Sequence, residues 1–491
     1  MADDGVTRRR CLGSAAGALA VVGFDVLGRR WVGVADAASR IGFRSAPRLD
    51  GTLLLDAASR SADRTDRGNM VFHTPAAVLR PGSVRDIQAM VRFCRRWRIS
   101  VAARGEHHTT FGQGLTDGLL VEMSTLNTIH SIGPEGADVD AGVLWRDIIE
   151  PAFARGLRLR GLTGYTGLSV GGVLSVGGCP VSNDEGAVVD QVRELTVVTG
   201  TGDLVRCSAS MHRDLFDAAL GGLGQCGIIV RALADLVPAE PEARTYLLHY
   251  VQAAAFFQDF RTLVGRGECN DVYTVCVPPG AGTFLYEISA TVFFDPAAPP
   301  DDAHLMRGLT LPAVAAVHAD RSYFEYTQLV DDQVALLQLA MWDRLVKPWF
   351  DVWLPEPAVE AYVTDVLGHL TPQDIGPTGL IVLYAQRRSK LTRPFLRVPS
   401  GELGEWVYLF DVLGASALPG PDPDYARRML DRNRRWYERA RDVGGTRYPI
   451  GSIEFSHADW VGHYGDEWPR LRRLKRRYDP AGILTPGPGI F

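Results

Sequence analysis

Two adjacent histidines, His107 and His108, stand in a loop at residues 104–113 that begins with Arg104-Gly105 and ends with Gly112-Gln113. A short apolar run at residues 99–103 precedes the loop and predicts a strand. A glycine directly after a strand allows a phosphate or a flat ring system to approach the backbone, and the two imidazoles lie at the mouth of this turn. Taken alone, the stretch also fits an ordinary surface loop, so its interpretation depends on the rest of the chain.

Neither the histidines nor the cysteines indicate a metal site. Glu106, His107 and His108 are consecutive and point in different directions on an extended chain, and no carboxylate–His spacing accompanies them. The seven cysteines are scattered, odd in number and without a CxxC pair. This pattern argues against a zinc site and against a disulfide scaffold.

A second glycine-rich segment, residues 168–178, carries two Gly pairs at Gly171-Gly172 and Gly177-Gly178. Small residues between the pairs permit a close approach of the backbone. Main-chain N–H groups, together with the hydroxyls of Ser169 and Ser175, could hold a pyrophosphate without a positively charged side chain. The alternative is a glycine-rich packing turn within a sheet.

The pattern around these segments alternates short strands and helices. Residues 192–205 predict a hairpin with its turn at 200–203, and residues 214–229 predict a helix that ends on a glycine cluster and leads into a strand. The order of elements indicates an α+β arrangement. No GxGxxG follows the first strand, which excludes a Rossmann dinucleotide site in this region.

The middle of the chain changes to longer elements. Residues 315–345 are predicted to be largely helical, and residues 347–355, 379–384 and 406–413 predict strands. These elements suit an antiparallel sheet with helices on one side, which would close over a cofactor as a cap.

The composition and the N-terminus limit the kinds of protein that this chain can be. A chain of 491 residues is expected to form more than one domain. Its net charge of -5 makes nucleic acid an unexpected partner. A basic start, an Ala/Gly-rich run and a cleavage-like site make residues 1–37 resemble a twin-arginine signal peptide, so we expect an exported protein. The alternative is an Arg-rich tail on a cytoplasmic protein. No segment suggests a membrane span.

The order of these segments resembles the FAD-binding domain of the vanillyl-alcohol oxidase superfamily, also called PCMH-type, and is most similar to cytokinin dehydrogenases. The resemblance implies a two-domain α+β fold. Residues 50–240 would form the FAD-binding PCMH-type domain and residues 241–455 the substrate domain, an antiparallel sheet with helices. Residues 456–491 would return to the FAD-binding domain.

The resemblance also implies the cofactor contacts. In the family, a Gly-His-Ser motif carries the flavin on its histidine, and here His108 takes that place, with His107 at the glycine and Thr109 at the serine. We therefore expect FAD bound covalently at His108, and the alternatives are attachment through His107 or no covalent bond. The cofactor-binding residues implied by the family are Gly105, His107, His108, Thr109, Gln113, Ser169, Gly171, Gly172, Ser175, Ile229 and Thr485.

On the substrate side, Trp349 and Asp351 match family positions near the flavin, and both are predicted to take part in catalysis. The family's catalytic Asp falls on Gly164, which cannot act as a base. Asp351 is the preferred replacement, and Glu106, His107 and Tyr165 are further candidates. A family Gln is replaced by Pro488, which has no amide to bond the flavin.

The sequence thus predicts a flavoprotein that oxidises a small organic molecule at a C–N or C–O carbon. Molecular oxygen or another acceptor would reoxidise the FAD. The first alternative is a cytokinin-dehydrogenase-like oxidation of an amine with a displaced base. The second is a flavin-binding protein without redox turnover.

Overall fold

The computed structural model describes residues 21–25, 30–33, 43, 46–277, 284–311, 316–401 and 404–491. The first two ranges form an antiparallel pair, β1 (Val21–Asp25) and β2 (Arg30–Gly33). The remainder of the predicted signal peptide, residues 1–37, lies outside the described residues, so export stays a prediction. Within the described ranges, no helix has the length and apolar character needed to cross a membrane.

The first globular region consists of short strands and helices. In chain order the elements are β3 (Thr52–Leu54), α1 (Ala57–Ala62), β4 (Ala77–Arg80), α2 (Val84–Trp97), β5 (Val101–Arg104), β6 (Leu119–Glu122), β7 (Ile129–Gly133), β8 (Gly136–Asp140), α3 (Trp145–Phe153), β9 (Leu157–Leu159), α4 (Val170–Val176), β10 (Val192–Thr199), β11 (Leu204–Ser208), α5 (Arg213–Ala219), β12 (Gly227–Ala234) and β13 (Leu236–Pro238).

These strands build two main sheets. A four-stranded sheet has the order β3-β4-β6-β5, in which β6 runs parallel to both β4 and β5. A five-stranded sheet has the order β11-β10-β12-β8-β7 and is antiparallel throughout. The predicted hairpin at 192–205 corresponds to β10 and β11. The His107-His108 loop leaves the end of β5, as the sequence predicted.

The second region is built on one large sheet. In chain order its elements are β14 (Glu242–Tyr250), α6 (Ala253–Arg266), β15 (Asp271–Val277), β16 (Leu285–Phe294), α7 (Asp302–Met306), β17 (Val317–Ser322), α8 (Tyr323–Leu339), β18 (Phe350–Pro355), α9 (Val359–His369), α10 (Pro372–Ile375), β19 (Leu380–Arg387), β20 (Trp406–Leu413), α11 (Pro423–Asp442), β21 (Thr446–Arg447), α12 (His457–Tyr464) and α13 (Trp468–Tyr478). The sheet order is β17-β14-β16-β15-β19-β20-β18-β21, with every pair antiparallel.

Strand alternation decides which face of this sheet is core and which face is available for a site. On β20, Tyr408, Phe410 and Val412 belong to the buried cluster shared with helices α6, α9 and α11. The residues between them, Leu409 and Asp411, point to the opposite face. That second face turns toward the first globular region and forms one wall of a cavity.

Two local predictions differ from the structure. The segment predicted as largely helical, 315–345, begins with β17 and becomes helical only at Tyr323. The reason is a capping box: Glu325 N–H donates to the Ser322 hydroxyl at 3.2 Å, and Ser322 N–H donates to the Glu325 carboxylate at 3.0 Å. The second difference is at the glycine pairs, where Val170–Val176 forms helix α4.

The C-terminal residues run beside the strand that carries the histidine loop. Val101 N–H donates to the Ile483 carbonyl at 2.8 Å, and Thr485 N–H donates to the Val101 carbonyl at 2.8 Å. The tail therefore extends the four-stranded sheet next to β5. It also brings Thr485 and Pro488 to the cavity.

Candidate active site

A cavity of about 560 Å³ lies between the two regions. The histidine loop, the start of α4 and the end of the tail form one side, and the free face of the eight-stranded sheet forms the other. This volume is typical of a cofactor or small-molecule site. All predicted site residues line the cavity: Gly105, His107, His108, Thr109, Gln113, Ser169, Gly171, Gly172, Ser175, Ile229, Trp349, Asp351 and Thr485.

The buried carboxyl group of Asp66 holds the base of the histidine loop. It accepts hydrogen bonds from Gly112 N–H at 2.6 Å and from Gly68 N–H at 3.0 Å. Burial raises the pKa of Asp66 to about 7, because the charged form loses its water, while these two N–H groups oppose the shift. The loop is therefore tied at its C-terminal end to a segment that no sequence pattern marked.

Gln113 anchors the same loop to the second region. Its side-chain amide Nε2 lies 3.1 Å from each of the carbonyl oxygens of Pro449, Ile450 and Gly451 and donates to them. Its Oε1 accepts from Phe111 N–H at 2.8 Å. The amide is thus fully used within the protein. Gln113 was predicted to bind the cofactor, and the bonds that it makes position the loop.

His108 is the histidine enclosed by the cavity's aromatic side chains. Its ring centroid lies 5.4 Å from that of Tyr165 and 5.2 Å from that of Trp349. Its Nδ1 is buried and has no hydrogen-bond partner among the described residues. Burial, together with the nearby charges of Arg67 and Lys347, lowers the pKa of His108 to about 3. The imidazole is therefore neutral at physiological pH, as a nucleophile must be.

His107 has a strained backbone. Its φ is +45°, in the left-handed region that favours glycine. Arg67 N–H holds it there by donating to the carbonyls of His107 at 3.0 Å and Thr109 at 3.1 Å. The His107 side chain lies open to the cavity. A non-glycine residue in this conformation costs about 1–2 kcal/mol, which the loop's other contacts must offset.

The glycines at the start of α4 are needed for close packing. A Cβ on Gly105 would lie 1.9 Å from the Ser169 hydroxyl oxygen, and a Cβ on Gly171 would lie 2.8 Å from the Cβ of Ala141. Ser169 caps α4 and does not bond its backbone N–H groups with its side chain, whereas the Ser175 hydroxyl donates to the Gly171 carbonyl at 2.7 Å. Of the first N–H groups of α4, those of Val170 and Gly171 donate to the Val143 and Ala141 carbonyls at 2.9 and 2.8 Å, so the Gly172 N–H is the one without a partner among the described residues.

On the sheet wall, Asp351 forms a pair with a residue that was not predicted to belong to the site. Asp351 and Asp411 are directly opposite each other on β18 and β20, so their side chains leave the same face of the sheet side by side. Asp351 is completely buried, and Asp411 is 7% exposed. Burial raises the pKa of both groups, and the charge of Asp351 raises that of Asp411 further. A proton on one of the two carboxyl groups is therefore favoured, because two adjacent buried charges repel each other.

Asp411 could have been found from the sequence, because an Asp in the middle of the apolar strand 406–413 predicts a buried carboxyl group. No local signal marks the second residue that was missed, Tyr384. Its hydroxyl oxygen lies 3.8 Å from the position that a Cβ on Gly164 would take. The space beside Gly164 is thus reached by a phenol from the sheet. Of the other candidate bases, Glu106, His107 and Tyr165 all line the cavity.

Comparisons with known proteins place the chain among flavoproteins. A family described as "FAD binding domain" matches residues 75–208, and one described as "Cytokinin dehydrogenase 1, FAD and cytokinin binding" matches residues 246–491. An uncharacterized oxidoreductase, ORF5 in the fasciation locus of Rhodococcoides fascians, is 34% identical over 86% of this chain and 95% of its own length. Cytokinin dehydrogenase 1 of Oryza sativa subsp. japonica is 31% identical over 93% of this chain and 94% of its own length. Cytokinin dehydrogenase 2 of Arabidopsis thaliana is 28% identical over 90% and 94% respectively.

The cavity has the features that FAD requires. The unpartnered Nδ1 of His108 offers a bonding atom at one end. Gly105, Gly171 and Gly172 line the cavity without side chains of their own and form a glycine cradle, in which the Gly172 N–H, unpartnered among the described residues, suits a phosphate oxygen. Pro488 lines the cavity and uses its carbonyl to accept from Trp460 Nε1 at 2.8 Å, so this position offers the cofactor no donor.

The glycine cradle makes a testable prediction. Gly105→Ala forces the Ser169 side chain out of its place, and we expect FAD to bind at least about tenfold more weakly, which is about 1.4 kcal/mol. Ser169→Gly in the same chain removes the clash and should restore binding. The measurement is FAD content after purification, with a titration of apoprotein by FAD.

The matched control is Gly265→Ala, since a Cβ on this helical glycine meets no atom within 4 Å. This change should leave FAD binding intact and raise stability by about 0.5–1 kcal/mol. Wild-type FAD binding by the Gly105→Ala variant would contradict the close packing of Gly105 against Ser169.

Gln113 makes a second prediction. Gln113→Leu removes the amide that donates to three carbonyl oxygens and leaves those acceptors unpaired, so the free energy of unfolding should fall by about 1–3 kcal/mol. Urea denaturation of the holoprotein measures it. Gln338→Leu on the exposed face of α8 is the control and should change stability by less than about 0.5 kcal/mol. Equal effects of the two changes would show that the Gln113 bonds contribute little.

Proposed function

Because the chain belongs to the cytokinin dehydrogenase family of PCMH-type FAD-dependent oxidoreductases, we propose that it oxidises a small organic substrate at a carbon bonded to nitrogen or oxygen. The observation that carries this proposal is the two-sided cavity. A neutral histidine and a glycine cradle line one side, and a pair of buried carboxyl groups lines the other.

FAD, when bound, supplies the acceptor for the hydride that leaves the substrate carbon. The protein's own contributions concern binding and position. His108 is proposed to carry the flavin covalently, because its buried nitrogen is neutral and unpartnered among the described residues. Ser169, Gly171 and Gly172 are proposed to hold the pyrophosphate, with the Gly172 N–H as the donor that has no partner among the described residues. Ile229, on β12, and Thr485, in the tail, also line the cavity and are proposed to contact the cofactor.

Trp349 is proposed to position the reacting molecules. Only 3% of it is exposed, and it packs edge-on against His108 and tilts against Trp342 at 6.3 Å between ring centroids. A large rigid ring at this point excludes water from the cavity and limits the orientations of any bound molecule. Trp349 lines the cavity as expected from the sequence, and its part in the reaction belongs to the proposal.

The proton from the substrate heteroatom needs an acceptor, and we assign it to Asp351 acting within its pair with Asp411. Two buried carboxyl groups that share one proton leave one oxygen with lone pairs available. Glu106, His107 and Tyr165 are less well supported. Glu106 and Tyr165 have their pKa values raised by burial, but no second titratable group is hydrogen-bonded to either one among the described residues.

A cytokinin-dehydrogenase-like oxidation with a displaced base is the second candidate. The names of the rice and Arabidopsis relatives and the match over residues 246–491 favour it. Gly164 stands where the family resemblance expects an Asp, which speaks against an unchanged mechanism. The Tyr384 hydroxyl beside Gly164 offers a different polar group in that space. A flavin-binding protein without turnover is the remaining alternative.

The attachment of the flavin is tested by acid denaturation followed by gel electrophoresis. We expect flavin fluorescence on the wild-type band and its complete loss with His108→Ala, because no other imidazole in the loop is enclosed by Tyr165 and Trp349. His107→Gly is the matched control and should keep the fluorescence, since glycine adopts the left-handed backbone of this position without strain. Fluorescence that survives His108→Ala would place the bond elsewhere.

The reaction class is tested by anaerobic mixing of the holoprotein with paired amines and alcohols that share a carbon skeleton. A substrate should bleach the flavin absorbance, and the same compound should be turned over when O2 or an artificial acceptor is supplied. Asp351→Asn should slow flavin reduction by about 10²–10⁴-fold while FAD content stays unchanged. If no compound bleaches the flavin, the protein is a binding protein and the oxidoreductase proposal fails.

A further inference from the structure

We propose that the substrate is an organic ammonium cation whose nitrogen binds against the carboxyl pair of Asp411 and Asp351. This inference rests on the proposed oxidation and narrows it to a substrate class. Its basis is the charge of the cavity wall, the free bonding capacity of the pair and the aromatic side chains around it.

The cavity is acidic. Carboxyl groups of Asp66, Glu106, Glu287, Asp351 and Asp411 line it, and among the described lining residues the one Lys or Arg is Arg104. The Arg104 guanidinium is only 4% exposed and is paired with the Asp63 carboxylate. In the part of the wall that the structure describes, no cation is therefore free to attract an anionic substrate, whereas a cationic ligand would be attracted.

Two of these five carboxyl groups already have protein partners. Asp66 accepts from two backbone N–H groups, and Glu287 pairs with His249 at 2.8 Å. By contrast, apart from a proton shared within the pair, no donor among the described residues meets either oxygen of Asp351 or the buried oxygen of Asp411. A buried carboxyl group left in this state is costly unless a ligand donates to the pair. The accessible part of Asp411 is the acceptor that an ammonium N–H would reach, and Asp351 is buried behind it.

The closest cation does not neutralise the pair. Arg447 lies near Asp351, but its guanidinium donates to the Gly451 carbonyl at 3.0 Å and stacks over the rings of Phe455 and Trp460, at 4.6 and 5.0 Å from their centroids. Asp351 itself packs against the Cα of Gly451, and its partner Asp411 is the one that keeps surface at the cavity. A ligand therefore meets Asp411 first, with Asp351 behind it.

The rest of the wall is aromatic. The rings of Tyr273, on β15, and Tyr384, on β19, are stacked at 6.2 Å between centroids, and β19 is the neighbour of the strand that carries Asp411. Faces of such rings attract cations, and the attraction adds to that of a nearby carboxylate. The aromatic side chains of the cavity are Tyr165, Tyr273, Trp342, Trp349, Tyr384 and Tyr448. An acidic pair within an aromatic wall is the chemistry that recognises an alkylammonium group.

The same contact prepares the amine for oxidation. An N–H bond of the bound ammonium breaks, its electron pair stays on nitrogen, and the proton forms an O–H bond with the ionised carboxylate of the pair. The amine is then neutral and carries the lone pair that hydride loss from the adjacent carbon requires. No other reactant takes part in this proton transfer.

The test measures binding rather than turnover. Benzyltrimethylammonium has no N–H and no free lone pair, so it reports recognition of the charge alone, and its neutral carbon isostere is neopentylbenzene. Titration of the holoprotein, followed by calorimetry and by perturbation of the visible flavin spectrum, should show the cation binding at least tenfold more tightly than the isostere. Asp351→Asn with Asp411→Asn in one chain should abolish this difference.

Controls separate the site from the fold and from the proposed reaction. Glu287→Gln removes a cavity carboxylate that already has a partner and should retain most of the preference for the cation. FAD content and thermal stability of the Asn variant show whether it folds, and Asp411→Asn alone is used if the double variant does not fold.

Equal binding of the cation and the isostere, or an undiminished preference for the cation in the Asn variant, overturns the inference. Should an alcohol bleach the flavin while the cation shows no preference, the inference fails and the oxidation stands. Should the cation bind as expected while nothing bleaches the flavin, the binding site stands and the oxidation fails.

Discussion

The position of Gly451 connects the two halves of the candidate site. Its carbonyl accepts from the Gln113 amide of the histidine loop at 3.1 Å and from the Arg447 guanidinium at 3.0 Å. Its Cα leaves no room for a side chain, because a Cβ there would lie 2.0 Å from an Asp351 oxygen. One residue therefore fixes the distance between the loop that carries His108 and the carboxyl pair on the sheet. Movement of this turn would change both walls of the cavity together.

Burial sets the charge state of the groups around this turn. Water is excluded from His108 and from Lys347, so their pKa values are lowered to about 3 and about 7, and the same effect raises the pKa of Asp66 to about 7. Lys347 compensates by donating to the carbonyls of Arg67 and Leu345 at 3.0 and 2.9 Å. Hydrogen bonds from these groups hold the loop, together with the ion pairs of Arg104 with Asp63 and of Arg67 with Asp343.

Sequence patterns predicted the elements whose formation depends on the residue types of a short stretch. The strand 406–413, the hairpin at 192–205 and the strand before the histidine loop follow from alternation and turn residues, and the structure confirms them. Helix α4 was not predicted, because glycine pairs have low helix propensity and packing of the segment against Ala141 overrides it. The pairing of Asp351 with Asp411 depends on the register of two strands that are distant in the chain. The proximity of Gly164 to Tyr384 depends on how the two regions pack against each other. Neither contact can be predicted from a short stretch of sequence.

The two departures from the family pattern are opposite in kind. At His107 the backbone keeps a left-handed φ of +45°, so the conformation suits the glycine of the family motif while the side chain is new. At Gly164 the backbone imposes no such requirement, and the atoms nearest to the position that a Cβ would take, in Val181, Tyr384 and Val330, lie 3.7–3.9 Å away. A Cβ at 164 would therefore meet only ordinary van der Waals neighbours, so close packing does not require glycine there. The sheet wall on this side of the cavity carries the polar side chains of Asp411, Asp351 and Tyr384.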